Sequence, residues 1–291
     1  MSCTLFEFTV GTEHDGLKLR DFLRRGCGIT ARSMTILKYY GSITRRSELI
    51  KAHDIVREDD VITLSLPREK SDITPVEGVL DVLYEDAYLL IVNKPWSMPV
   101  HPTKVHQTDT LANIVTWYQE SRGESYVFRA LNRLDKDTSG CVIIAKDRLT
   151  YSLVRGSIEK TYVAVCEGII EDSGTINAPI GLADNSKIKR CVREDGAEAV
   201  THYRPITHSN GHTLLVLRLE TGRTHQIRCH MSHIGHPLAG DDLYGGSREL
   251  ISRQALHCRE VTLNHPFIGE RLIITTDIPT EFSAIIKEGA H

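Results

Sequence analysis

The stretch ALNRLDKDTSGCVIIAK, residues 130–146, sets the carboxylate of Asp135 between the cation of Arg133 and the hydroxyls of Thr138 and Ser139. The turn that carries it runs straight into an apolar, β-branched segment at 142–145. A side chain there is held on a rigid sheet edge facing a cleft, where an ionised acid can serve as nucleophile or base. The plainer use of the same residues is a turn closed by Asp135 and Thr138, with Gly140 supplying a permissive backbone. Two other sets of residues could do chemistry. Tyr162 lies in the alternating strand pattern KTYVAV, which by itself reads as a half-buried aromatic. Arg228 falls on a helix starting near Thr224, on one face with Thr224 and Ile227, so it can point inward with the apolar side. On that helix His225, Cys229 and His233 recur at i, i+4 spacing, with His230, His236, His257 and Cys258 elsewhere nearby in sequence. Imidazole and thiolate at that spacing can share a metal, but HEXXH is absent and no second compact ligand pair stands at zinc-site spacing.

The elements that must position these residues are legible in outline. Strands are expected at 79–84, 89–92, 141–146, 162–166, 214–219 and 272–275, and helices at 111–120, 149–157 and 224–234. Strands outnumber helices and do not alternate with them, which predicts an α+β fold with a mixed, largely antiparallel sheet rather than a doubly wound parallel one. Ahead of it, amphipathic helices at 17–23 and 31–40 and a short β stretch at 61–67 form a small α+β module over residues 1–68. The polar, Pro- and Gly-containing segment 69–79 reads as a flexible linker, leaving 80–291 for the larger unit.

Composition narrows the setting. A chain of 291 residues can bury a sizeable core and suggests about two domains. No apolar run approaches the roughly 18 residues of a membrane span and the N-terminus does not read as a signal peptide, so a soluble, cytoplasmic, monomeric protein is expected. Seven cysteines, odd in number and without a CxxC pair, argue against a disulfide framework. The net charge of −3 hides a local asymmetry: from Lys18 to Arg57 ten basic residues stand against three acidic ones. A basic patch on a small module suits a phosphate backbone.

The motif Arg133-Leu134-Asp135 followed by Thr138-Ser139-Gly140 resembles the first signature of the RluA-type RNA pseudouridine synthases, with Asn132 where that family usually has His. EKTYVAVCEG at 159–168 and LETGRTHQIRCHMSHIGHPLAGDDLYGG at 219–246 resemble further family stretches in the same order. The likeness runs from NKPWSMPVHP at 93–102 to LNHPFIGERLIITTDIP at 263–279. It implies that Asp135 is the essential acid, Tyr162 the active-site phenol and Arg228 the basic partner of the acid. It also implies that Arg133 reaches into RNA where the target nucleotide is flipped out. Arg223, in the turn before the helix, is expected to bind phosphate, and Lys94 and His101 to contact RNA. The reaction needs no metal or organic cofactor. The N-terminal module is similar to the small S4-like RNA-binding domain named after a ribosomal small-subunit protein. The function implied is isomerisation of uridine in structured ribosomal or transfer RNA. A noncatalytic RNA-binding protein and a His/Cys metal-dependent enzyme are the alternatives.

Overall fold

The computed structural model describes residues 3–287. Two sheets organise the chain. The first is four-stranded and antiparallel, with strand order β1-β4-β2-β3, from β1 (Cys3–Thr9), β2 (Ser42–Arg45), β3 (Glu48–Leu49) and β4 (Val61–Pro67). Alternation in β4 turns Ile62, Leu64 and Leu66 inward. They meet Leu19, Phe22 and Leu23 of α1 (Leu19–Arg25) and Leu37 of α2 (Ala31–Tyr40). Thr30 starts α2 by accepting a hydrogen bond from the Ser33 amide at 3.1 Å. Arg46 and Ser47 both lie at positive φ, 50° and 69°, so the TRRSE segment is a two-residue hairpin turn joining β2 to β3.

The second sheet has nine strands in the order β5-β6-β7-β14-β8-β13-β12-β9, with β15 paired to β14. They are β5 (Val82–Glu85), β6 (Leu89–Lys94), β7 (Ser139–Ala145), β8 (Glu159–Glu167), β9 (Gly174–Asn177), β12 (Val200–Ser209), β13 (His212–Leu219), β14 (Leu256–Asn264) and β15 (Arg271–Thr275). A separate ribbon pairs β10 (Ile180–Leu182) with β11 (Arg190–Val192). The helices are α3 (Leu111–Ser121), α4 (Arg148–Val154), α5 (Gln226–His233) and α6 (Thr280–Lys287). Among the described strands only β7 and β14 run parallel, so the expected α+β class with a mixed, largely antiparallel sheet holds. All seven residues of β7 are buried because neighbours flank it on both edges. Gly140 permits that packing: it sits at φ +112°, and a Cβ there would come within 2.2 Å of the Cys258 carbonyl oxygen on β14.

Segment 68–81 carries no helix or strand, yet it is not a free tether. Glu69 pairs with Arg129 and Arg148, its carbonyl accepts from the Ser125 hydroxyl, and Asn113 donates to the Thr74 carbonyl at 2.8 Å. The sequence could not show this, because these partners lie at least 39 residues away. The two sheets also share apolar side chains. Leu149 of α4 is fully buried in the N-terminal core, and Phe6 stacks on Tyr88 at 5.3 Å between centroids. Ser33 Oγ donates to Ser152 Oγ at 3.0 Å, and the Arg148 guanidinium lies 4.3 Å from the centre of the Tyr40 ring. The N-terminal unit is thus packed against α4, not hung from a string.

Leu149→Ala would leave a cavity where the two units meet. It is expected to cost about 2–5 kcal/mol in urea unfolding, the usual range for a buried Leu. A cost below about 1 kcal/mol would show that α4 is not part of the N-terminal core.

Candidate active site

Asp135 opens a turn closed by a hydrogen bond from the Thr138 amide to the Asp135 carbonyl, 3.1 Å. Each following residue of that turn is tied to another element. The Lys136 carbonyl accepts from Lys94 Nζ and from the Met98 amide, both at 3.1 Å. The Asp137 carbonyl accepts from Arg253 Nη1 at 3.1 Å, and Thr138 Oγ1 from Gln254 Nε2 at 3.3 Å. The carboxylate therefore projects from a backbone with little freedom, while its side chain remains 28% exposed to the cleft.

Two residues from the start of α5 face that carboxylate. Arg228 Nη1 donates to Asp135 Oδ2 at 3.3 Å, and His225 Nε2 stands 3.8 Å from the same oxygen. Arg228 is also gripped from behind. Its Nε and Nη2 each donate to Asp241 at 2.7 Å, a bidentate pair whose Asp side chain is fully buried. Burial opposes the guanidinium charge, but the hydrogen bonds and charge of Asp241, then of Asp135, hold the Arg228 pKa above its ordinary value. Burial, with Arg228 adding to it, pulls His225 below the usual imidazole range, and Asp135 offsets this in part. His225 occupies the left-handed backbone region, φ 56°, as the residue that turns the chain into α5, and its Nδ1 lies 3.1 Å from the Tyr244 hydroxyl.

Tyr162, on β8, lines the same cleft and is nearly fully buried. Burial, with lesser contributions from Cys258 and Asp135, pushes its hydroxyl well above the ordinary phenol value. It is thus a neutral hydroxyl at physiological pH. Directly between Asp135, Tyr162 and Arg228 the free space is only about 60 Å³, room for a few waters but not for a nucleoside. An adjoining cleft of about 480 Å³, lined by Arg133, Asp135, Tyr162 and Arg223 among others, has the size of a ligand site.

The structure brings Asp135, Tyr162, Arg228, Arg133 and Arg223 to one cleft. Arg223 is at its rim, its Nε donating to the Glu198 carbonyl at 2.8 Å. His101 is half-buried, packs edge-on against Phe128 and shares a neighbouring cleft with Arg133. Burial, then the nearby Arg133, lowers its pKa. Lys94 corrects the expectation of an RNA contact: it is fully buried, and its Nζ donates to the carbonyls of Pro95, Met98 and Lys136 at 2.8–3.1 Å. It cannot reach a ligand, and it braces the Asp135 turn. Asn132 likewise serves the scaffold, its amide bonding the Cys141 carbonyl and the Ile143 amide of β7.

The suggested metal ligands do not converge. His230 bonds Thr201 and the Ala178 carbonyl, His257 bonds Ser139, and His236 bonds the Glu167 carbonyl. Among the described residues no three His, Cys, Asp or Glu side chains cluster tightly enough to hold a metal. The six cysteines whose side chains are described are free thiols. No described helix is long and apolar enough to cross a membrane.

Sequence reasoning missed Asp241, Tyr244 and the site role of His225. Asp241 has a local signature only in retrospect. Its neighbour Gly240 sits at φ +76° against the Arg253 carbonyl, which turns Asp241 inward, whereas the adjacent Asp242 is exposed and pairs with Arg248.

A family profile described as RNA pseudouridylate synthase matches residues 88–233, a span that contains Asp135, Tyr162 and Arg228. The chain is also 36% identical to the uncharacterized RNA pseudouridine synthase YhcT of Bacillus subtilis (strain 168), over 97% of this chain and 96% of that one. The chain belongs to the RNA pseudouridylate synthase family. The synthase is 38% identical to the ribosomal large subunit pseudouridine synthase D of Escherichia coli (strain K12), over 75% of this chain and 73% of the relative. Its fold is similar to that of human RNA Pseudouridylate Synthase Domain Containing 1, with a TM-score of 0.58 and 25% identity, covering 69% of this chain and 84% of the human one. The synthase is therefore an isomerase that acts on RNA.

Lys94 supplies a pH test. Burial pulls its pKa down to about 7, with Asp137 opposing and Arg253 assisting the shift. The unfolded chain then holds the Lys94 proton over a range in which the folded chain has released it, so this residue makes stability rise with pH above about 7. Melting temperatures of wild type and Lys94→Met measured from pH 6.5 to about 8.5, with the same cysteines titrating in both proteins, should differ in slope. The wild type gains relative to the variant as pH rises, and parallel curves would show that Lys94 titrates as it does in water.

Proposed function

We propose that this synthase converts specific uridines of a structured ribosomal or transfer RNA to pseudouridine in the cytoplasm, as a single chain and without metal or organic cofactor. The observation that carries the reading is the Asp135 carboxylate, fixed on a braced turn and held by an Arg228 that Asp241 anchors, beside the buried Tyr162 phenol. The reaction breaks the bond from the ribose anomeric carbon to ring nitrogen 1, turns the base, and joins the sugar to ring carbon 5. It is redox-neutral and every atom is retained. Such a reaction needs an ionised acid at the sugar, a confined space for the detached base and a route for the proton leaving carbon 5. Asp135 supplies the acid, attacking the sugar or removing a ribose proton. Tyr162 gives a face for the base to stack on and a hydroxyl that passes a proton without standing as a phenolate.

Arg133, exposed at the mouth of the cleft, takes the place a flipped nucleotide vacates, and Arg223 grips a flanking phosphate. An RNA of the large ribosomal subunit is favoured by relatives such as the Escherichia coli enzyme, which are named for it. The N-terminal unit, with its excess of basic residues, is read as an S4-like module that adds phosphate contacts. A noncatalytic RNA-binding protein would have no need for the Asp241 anchor behind Arg228.

Asp135→Asn preserves volume and hydrogen bonding but removes the charge. Pseudouridine formation is expected to fall at least about a thousandfold while RNA affinity stays within about threefold. A rate within tenfold of wild type, read by tritium release from uracil-labelled RNA, would eliminate Asp135 as the reacting acid. Tyr162→Phe keeps the stacking face and loses the hydroxyl, so binding is retained and single-turnover product formation slows. Unchanged single-turnover kinetics would reduce Tyr162 to a packing residue. Mapping pseudouridine in total RNA from a deletion strain against its parent identifies the RNA.

A further inference from the structure

A second cleft, of about 530 Å³, lies where the N-terminal unit meets the larger one, with Arg32 and Ile36 of α2 on one wall and Arg133, Arg148 and Tyr151 on the other. No carboxylate lines it. Glu69 behind it pairs with Arg129 and Arg148, and among the described residues neither Arg32 nor Arg133 is in an ion pair. Arg133 and Tyr151 also line the cleft that holds Asp135, so the two spaces adjoin, and Arg155 and Lys160 carry the positive lining onward.

We infer that this seam between α2 and α4 is a groove for the RNA strand that flanks the nucleotide at Asp135. The inference rests on the proposed function and extends it. Cations along a wall that carries no carboxylate fit a chain of phosphates better than a single anion, because the charges are spread along a path that starts at the reacting group. Tyr151, half-buried beneath the Arg155 guanidinium at 5.8 Å, offers an aromatic face on which a base can stack. The walls are held at fixed separation by the Ser33–Ser152 hydrogen bond, by Leu149 entering the N-terminal core and by Arg148 over Tyr40. The groove is therefore preformed, and it sets how far from the target uridine the N-terminal unit can touch the RNA.

Arg32→Glu tests this. The residue is exposed in the first turn of α2, where an acid is favourable to the helix, so the variant keeps its fold, which its melting temperature checks. The control with the same change in net charge is Arg204→Glu, exposed on β12 toward the far edge of the large sheet. The probe is fluorescein-labelled oligouridylate, with affinity read by anisotropy across a salt series. Pseudouridine formation is measured separately on total RNA from the deletion strain. Arg32→Glu is expected to bind about tenfold more weakly, with a salt slope shallower by about one. Arg204→Glu binds as wild type does. Wild-type affinity and slope for Arg32→Glu, or equal weakening in both variants, would overturn the groove. If wild type forms no pseudouridine on any RNA, the proposed function fails, while the binding data still decide whether the groove exists.

Discussion

Arg228 is held between two carboxylates of unlike surroundings, and the rest of the site follows from that arrangement. A guanidinium presents its donors in a rigid plane, so gripping one edge orients the other. Asp241, fully buried, takes the Nε and Nη2 edge at 2.7 Å, and the remaining Nη1 is left to meet Asp135 at 3.3 Å. A lone guanidinium keeps its charge at any depth, so without a partner it would be driven toward water. With Asp241 behind it the buried cation is paired and fixed in place, and the longer contact to Asp135 leaves that carboxylate the more loosely held of the two. The cation thus joins the scaffold on one side to the proposed reacting acid on the other.

The large sheet makes this geometry possible. The Asp135 turn feeds β7, whose glycine lets it run beside β14 at a distance no other residue allows. The segment leading into β14 supplies Arg253 and Gln254 to the carbonyl and hydroxyl of the turn, and the end of β6 supplies Lys94. Tyr162 arrives from β8, on the other edge of β14. A carboxylate, a phenol and a guanidinium from distant parts of the chain are thereby set on three rigid elements, with the preorganisation that proton transfer and bond rearrangement require.

Much of this was legible locally. The alternation of KTYVAV places Tyr162 on a strand, and the apolar run after Ser139 is central strand β7. The polar turn between Arg133 and Thr138 forms where its composition puts it. Features defined by distant partners were not legible. Lys94 is expected from sequence to contact RNA, because nothing in NKPWSMP shows that a carbonyl 42 residues away will accept a hydrogen bond from it. Strand β14, LHCREVTLN, was not expected, since its His257 and Arg259 break the apolar pattern. His257 is nonetheless buried because Ser139 on β7 receives it. Asp241 and Asp242 look equivalent in sequence, and only the turn at Gly240 decides which one goes inside. Segment 69–79 has no periodicity and reads as a flexible linker, and its polar groups are bonded to α3, to the loop around Arg129 and to the start of α4.

The central claim is that Asp241 positions Arg228, and through it the acid, without touching the substrate. The most direct measurement is the single-turnover rate of Asp241→Asn at saturating RNA, alongside RNA affinity and a thermal melt that verifies the fold. The amide can keep one hydrogen bond to Arg228 but not the bidentate charged grip. The rate should fall about a hundredfold, the scale of an ångström of misplacement, while affinity changes less than about threefold. A folded Asp241→Asn that turns over within threefold of wild type would contradict the account.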